Sequence, residues 1–265
     1  MSITVETYPT LREAASAMRD GTRFLGGGTM VVRGLNFGAQ TYDRVVRSTD
    51  AALRDIRSNG TGLHIGAGVT MAQIMQTAST DFLAPVARAV GGPAVRNMAT
   101  VGGNLFVRAP YGDFGTALLA LDATVQMADG QSLAIETFYA RRAGLRGLVA
   151  AVTVPRPASG TFRFAKITRT RPKGASLLCI AAHLPGGTRI SGARLAFGAM
   201  GPTPLRAKEA EAALDGAALD PAGIQRALDT CLNGLDPQDD ALASAWYRRE
   251  VAPVHLRRLL LGEDR

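Results

Sequence analysis

Apolar positions in this chain fall into short runs whose period changes along the sequence. Leu11, Ala14, Ala15 and Met18 recur at helical spacing, so residues 7–20 are predicted as a helix with Pro9 in its first turn. Residues 22–25 then read as a short strand running into Gly26-Gly27-Gly28, with further strands at Val45-Val46 and at residues 63–68. Thr70 is placed to cap a helix carrying Ile74 and Met75, and residues 82–90 form another, closed by Gly91-Gly92-Pro93. Phe114, Leu118 and Leu121 recur at four and three, the spacing of a buried helix over residues 113–121. Strands return at 124–128 and 131–135 across an Asp129-Gly130 turn, and at 148–154 before Pro155 and Pro157. Beyond that point the pattern shifts. Three strands (161–168, 177–184, 193–199), with a Pro185-Gly186-Gly187 hairpin loop, precede alanine-rich helices near 207–214, 221–232 and 240–261. Strands followed by helices indicate a separate α+β domain, with a boundary near residues 156–162.

Composition narrows the function classes. The net charge of +8 could serve nucleic acid, but the basic residues are dispersed and aromatics make up only 6%, too few for a stacking platform. Nucleic-acid binding is therefore not expected, and the charge suits an anionic cofactor and an acidic partner subunit. The densest basic groups are Arg141-Arg142, residues 169–173, Arg248-Arg249 and Arg257-Arg258. Two cysteines, Cys179 and Cys231, lie too far apart in sequence to suggest a disulfide framework and too few to build an iron–sulfur cluster. His64, His183 and His255 are scattered without metal-ligand spacing, so no metal site is expected. No apolar run reaches the roughly 18–20 residues of a membrane span. Residues 1–12 lack the basic and apolar pattern of a signal peptide, so a cytoplasmic location is expected.

Two glycine-rich segments carry the chemistry. One is Phe24-Leu25-Gly26-Gly27-Gly28-Thr29 and the other Thr100-Val101-Gly102-Gly103-Asn104-Leu105. Glycine lets N–H groups converge on a diphosphate without a Cβ in the way, and Thr29, Thr100 and Asn104 add side-chain donors. Two such segments suggest one elongated dinucleotide held from two sides. Neither is a Walker A loop, since Gly-Lys-Ser/Thr is missing, and neither has Gly-x-Gly-x-x-Gly spacing.

With those segments in view, the chain resembles the FAD-binding (medium) subunit of the molybdenum hydroxylase, xanthine dehydrogenase and carbon monoxide dehydrogenase family. The resemblance rests on Gly26-Gly27-Gly28-Thr29-Met30-Val31, on Thr100 to Leu105, and on Ala109-Pro110-Tyr111-Gly112-Asp113-Phe114. It continues through Arg163-Phe164-Ala165-Lys166-Ile167 and Ala243-Ser244-Ala245-Trp246-Tyr247-Arg248-Arg249. It implies an α+β chain: a two-subdomain FAD-binding fold of the vanillyl-alcohol-oxidase type over 1–158 (subdomains about 1–55 and 56–158), then a small domain over 159–265 with a three-stranded antiparallel sheet and helices. It also implies noncovalent FAD. Leu25, Gly26, Gly27, Gly28, Thr29, Met30 and Val31 would meet the diphosphate, and Thr100, Val101, Gly102, Gly103 and Asn104 would close over the diphosphate and flavin side. Asp113 matches a carboxylate that hydrogen-bonds the cofactor, and Lys166 a basic residue near the ring. Met30 and Asn36 depart from the family pattern, which usually has Asp or Ser, and often lysine, at those positions.

FAD carries its own redox chemistry, so no catalytic side chain is expected. The reading is a flavoprotein oxidoreductase subunit that takes electrons from [2Fe-2S] clusters on a small partner subunit. A large partner would hold the molybdopterin cofactor and oxidise an aldehyde or N-heterocycle, and the flavin would pass electrons to NAD, a quinone or oxygen. Two alternatives stay open: a stand-alone FAD-dependent oxidase or reductase, and a non-redox nucleotide-binding module. Co-export on a signal-bearing partner would make the location periplasmic.

Overall fold

The computed structural model describes residues 3–38, 41–58, 60, 62–145, 147–170 and 174–263. The chain forms two compact units that interleave in sequence. The first comprises Met1–Asp81, Gly92–Val107 and Ala123–Pro155, and the second Phe82–Gly91, Arg108–Asp122 and Arg156–Arg265.

The first unit holds two sheets. Strands β1 (Thr4–Tyr8), β2 (Thr22–Phe24) and β3 (Arg44–Ser48) pair in parallel in the order β1-β3-β2, with Val45 and Val46 of the central strand buried. Strands β4 (Ile56–Ser58), β5 (Leu63–Gly66), β6 (Thr124–Met127), β7 (Ser132–Ala134) and β8 (Val149–Val154) form an antiparallel sheet in the order β4-β5-β8-β6-β7. Leu63, Ile65, Val125, Val152 and Val154 are buried, while His64, Gln126 and Thr153 alternate with them on the polar face. The helix Val101–Phe106 packs on β5 and β8, and the helix Ile135–Arg141 on β6 and β7.

The second unit is built on β9 (Phe162–Thr168), β10 (Ser176–His183), β11 (Arg194–Gly198) and β12 (Leu205–Arg206), antiparallel in the order β12-β11-β10-β9. Strand β10 is a nearly unbroken apolar run because both of its faces are covered. Leu178, Ile180 and Ala182 enter a cluster with Ala210, Leu214, Leu256 and Leu260 from the C-terminal helices. On the other face Cys179 lies beside Thr116 of the helix Asp113–Ala120, which is buried along its whole length.

The α+β class agrees with the sequence reading, and several elements differ from it. Strand β1 was not predicted, and the first helix is Leu11–Ser16 rather than 7–20. Thr10 caps that helix in a capping box with Glu13, so Pro9 precedes the helix instead of sitting in its first turn. Helices Val31–Asn36, Pro93–Met98, Val101–Phe106 and Ile135–Arg141 occupy stretches predicted as loop, turn or strand. The C-terminal sheet has four strands, not three, because the two-residue β12 is too short to leave a periodic pattern. The last helix is Ala245–Leu261. The stretch 240–244 is instead a polar turn in which Asp240 accepts the N–H groups of Leu242 and Ala243, and Ser244 caps the helix.

Arg248 anchors this region. Its side chain is buried and donates to the carbonyls of Leu177 (2.9 Å), Gln238 (2.6 Å) and Ala243 (3.0 Å) and to the Asp240 carboxylate (2.7 Å). Those bonds tie β10, the polar turn and the last helix together. Arg248→Ala leaves three carbonyls and a carboxylate without their donor, and is expected to lower stability by about 3–5 kcal/mol. Arg258→Ala, on an exposed position of the same helix, is expected to change it by less than about 0.5 kcal/mol. Urea unfolding of the two variants checks the contrast.

Candidate functional site

Strand β2 ends by donating the Leu25 N–H to Val46 O (2.8 Å), and the chain turns at Gly26-Gly27-Gly28 before the helix Val31–Asn36. Gly28 has φ +75°, which disfavours any residue with a Cβ. The turn lies directly on the segment that leads into the second glycine motif. A Cβ on Gly27 would stand 1.5 Å from the Met98 carbonyl oxygen, and one on Gly26 would stand 3.0 Å from Thr100 Oγ1. The two motifs singled out in the sequence are therefore in contact.

Their backbones behave differently. Among the described residues, the N–H groups of residues 26–31 find no protein acceptor. Gly26 and Met30 are exposed, but Gly27, Gly28, Thr29 and Val31 are half-buried, where N–H groups ordinarily have partners, so this run of open donors suits an acceptor-rich ligand. The second motif has already used its donors. Thr100 is the N-cap of the helix Val101–Phe106 and accepts the Gly103 N–H (3.1 Å). Val101 donates to Val69 O (2.9 Å), Gly102 to Ala67 O (2.8 Å) and Asn104 to Thr100 O (3.0 Å). A Cβ on Gly102 would come within 2.9 Å of Ala67 Cβ, so that glycine permits close packing of the helix on the loop after β5. Asn104 Nδ2 also donates one N–H to Thr100 O (2.9 Å), so the second motif offers the Thr100 hydroxyl and the remaining Asn104 amide N–H rather than backbone donors.

This donor set fits a diphosphate. Arg33 is the one charged side chain in residues 25–38, so no carboxylate on this segment opposes an anion. Met30, in place of an acidic or hydroxyl residue, is exposed and leaves the adjoining N–H groups uncovered. The helix behind the second motif is held at its far end by Arg142, which donates to Leu105 O and Val107 O at 3.0 Å each. Sequence reading had counted Arg142 only among the basic pairs.

Asp113 and Lys166 both belong to the second unit. Asp113 follows Gly112 (φ +100°) as the first residue of its helix. Its carboxylate pairs with Lys166 Nζ at 2.7 Å and accepts the Ser176 hydroxyl at 2.5 Å, and all three side chains are largely withdrawn from solvent. Lys166 also donates to Ala89 O (2.8 Å). Ser176 was not singled out in the sequence, because its role depends on a residue far away along the chain. Burial and the neighbouring Asp113 charge push the Cys179 thiol well up, so it stays protonated and unreactive. Burial also raises Cys231, to about 11. Among the described residues no group of His, Cys, Asp or Glu could hold a metal ion, and no helix is long and apolar enough to cross a membrane. Of the basic cluster at 169–173, residues 171–173 lie outside the described residues.

A glycine turn with open donors at the end of a parallel strand, beside a second motif carrying a hydroxyl and an amide, fits a dinucleotide in a chain of the α+β class. Residues 3–157 match the FAD binding domain in molybdopterin dehydrogenase, and residues 161–262 match the CO dehydrogenase flavoprotein C-terminal domain. The chain belongs to this family of molybdopterin dehydrogenase FAD-binding proteins, as a flavoprotein of the oxidoreductase class. It is 26% identical to the xanthine dehydrogenase FAD-binding subunit of Escherichia coli O157:H7, covering 95% of this chain and 92% of that one. It is 27% identical to the carbon monoxide dehydrogenase medium chain of Afipia carboxidovorans, covering 90% and 88%. The fold matches that of carbon monoxide dehydrogenase from Hydrogenophaga pseudoflava with a TM-score of 0.90 at 22% identity, over 98% of this chain and 96% of that one.

Two outcomes follow from the geometry. Gly27→Ala puts a methyl group inside the Met98 carbonyl, so its effect is expected to exceed the roughly 1–3 kcal/mol usual for overpacking. Gly34→Ala meets open space within a helix and is expected to stabilise by about 0.5–1 kcal/mol, and thermal melts of both variants test the pair. Lys166→Met strands a buried carboxylate and is expected to cost about 3–5 kcal/mol. Adding Asp113→Asn to Lys166→Met is expected to restore part of that loss, and a double-mutant cycle in urea measures the coupling.

Proposed function

We propose that this chain is the FAD-binding subunit of a multisubunit molybdenum hydroxylase that oxidises an aldehyde or an N-heterocycle. The observation that carries the reading is the run of unpaired N–H groups at residues 26–31, seated on the segment Met98 to Thr100. When bound, FAD supplies a redox centre able to exchange electrons singly with iron–sulfur clusters and in pairs with an external acceptor. The chain's own work is binding and placement. Residues 25–31 hold the diphosphate by backbone donors and the Thr29 hydroxyl. Residues 100–104 contribute the Thr100 hydroxyl and the Asn104 amide. Assignment of Asp113 and Lys166 to the cofactor rests on the family resemblance.

The [2Fe-2S] clusters would lie on a small partner subunit and the molybdopterin cofactor on a large one. This agrees with two cysteines that are both buried and with relatives named as subunits or medium chains. The acceptor would be NAD, a quinone or oxygen, and the site of action the cytoplasm, or the periplasm after co-export. A sequence division at residue 158, with subdomains of about 1–55 and 56–158, is proposed for the same family pattern.

The test is to purify the tagged chain with whatever accompanies it from its native cell. The visible bands of oxidised flavin, FAD by mass after denaturation, and co-eluting chains with broad iron–sulfur absorption are the expected result. A colourless folded chain that also fails to take up added FAD would overturn the reading.

A further inference from the structure

On the polar side of the five-stranded sheet the first unit has an open pocket of about 410 Å³, a size suited to a small ligand. None of its lining residues belongs to either glycine motif. Its wall is low and apolar where Ala128, Ala150 and Ala151 lie, and cationic where Arg12 and Arg57 line it, with His64 beside them. Asp50 also lines it, but its two carboxylate oxygens accept the N–H groups of Leu11 and Ala52, each at 3.0 Å. Arg57 reaches Asp55 only at 3.6 Å, and Arg12 and His64 form no ion pair among the described residues. Burial and the charge of Arg57 hold His64 below the usual imidazole range, so at neutral pH it stands as a neutral group able to donate one N–H. Arg12 and Arg57 are both exposed, and Arg57 keeps only a long, exposed pairing with Asp55, so both guanidinium groups at this rim can take an incoming anion beside the alanine wall. Guanidinium matches carboxylate and phosphate oxygens in a planar, two-point geometry.

We infer that this pocket binds a small organic anion, a carboxylate or phosphate monoester carried on a flat apolar body, at a place separate from the cofactor turn. Arg12 and Arg57 take the anionic group, and the half-buried Ala128 and Ala150 take the body. Such a ligand would report the supply of an acidic metabolite to a flavoprotein whose redox site lies elsewhere.

The experiment titrates the FAD-loaded protein with phenyl phosphate, benzoate and inorganic phosphate by calorimetry, with flavin absorbance recorded alongside. Saturable one-to-one binding is expected, with inorganic phosphate weakest because it lacks the body. Arg12→Ala and Arg57→Ala are each expected to weaken phenyl phosphate about three- to tenfold, as loss of one exposed charge-assisted contact would. Ala150→Leu is expected to weaken phenyl phosphate and leave inorganic phosphate unchanged. Arg258→Ala, a charge-matched control, is expected to change nothing. Absence of saturable binding by all three probes overturns the inference, as does equal weakening by Arg258→Ala. Binding seen only in FAD-free protein overturns it too, because the pocket would then be part of the cofactor site. Unchanged flavin absorbance and thermal melts in the variants keep these outcomes apart from misfolding and from failure of the flavin reading.

Discussion

The absence of a side chain at Gly27 is the constraint on which the seating of the glycine turn depends. Only a hydrogen at that position lets the turn after β2 rest on the Met98 carbonyl. Once seated there, the turn has its support beneath it, and its N–H groups face away from every described acceptor. The support is itself fixed. Met71 donates to Ala99 O, Val101 to Val69 O and Gly102 to Ala67 O, while Ala67 donates to Ala150 O in β8. Two glycine motifs that look alike in sequence therefore divide the labour: one is stitched into the sheet, and the other is held open above it. Donors fixed before the ligand arrives avoid the ordering cost that a mobile loop would incur on binding.

The second unit follows another rule. Its sheet is covered on both faces, so a charged group deep inside is costly unless it is paired. Arg248 does so by gathering three carbonyls and a carboxylate, and Asp113 by pairing with Lys166 and Ser176. Neither arrangement resembles a reaction centre. The cysteine that lies beside the second cluster is kept as a thiol by burial and by the Asp113 charge. Buried ion pairs of this kind fix the packing of a helix on a sheet, and their net contribution to stability is smaller than the cost of breaking them.

What the sequence made legible was the part that repeats. Strands β5, β6 and β8 to β11, the capped helix after Thr70 and the buried helix at Asp113 all carry strong periodicity or clear punctuation. Strand β1 escaped because its Val5 is exposed and its pairing partner, β3, starts only at Arg44, beyond the reach of any local pattern. The six-residue helices at Val31 and Val101 escaped for the opposite reason: glycines at positions 34, 102 and 103 signal turns, yet tertiary packing overrides that weak local preference. At the site, residue identity pointed to both glycine motifs. It could not reveal that they touch, nor that the second spends its donors internally, since both facts depend on Val69, Ala67 and Met98.

That division bears on what kind of redox protein this is. An enzyme with its own substrate chemistry would place an acid, base or nucleophile where it can reach a ligand, with a pKa tuned for the purpose. Here the cysteines are buried and protonated, the second-unit carboxylate is tied to Lys166 and Ser176, and the open groups at the glycine motifs are amides and hydroxyls. Amide donors and hydroxyls hold and orient an anion without taking part in proton transfer at neutral pH. Among the described residues the titratable side chain bonded to this segment is Tyr42, whose hydroxyl donates to Val31 O (2.9 Å) and whose pKa burial raises, so it stays neutral, and the segment is suited to positioning a cofactor whose ring does the chemistry. On the proposed reading, substrate selection would fall to the partner that delivers the electrons, and this chain's sequence would accordingly say little about what is oxidised.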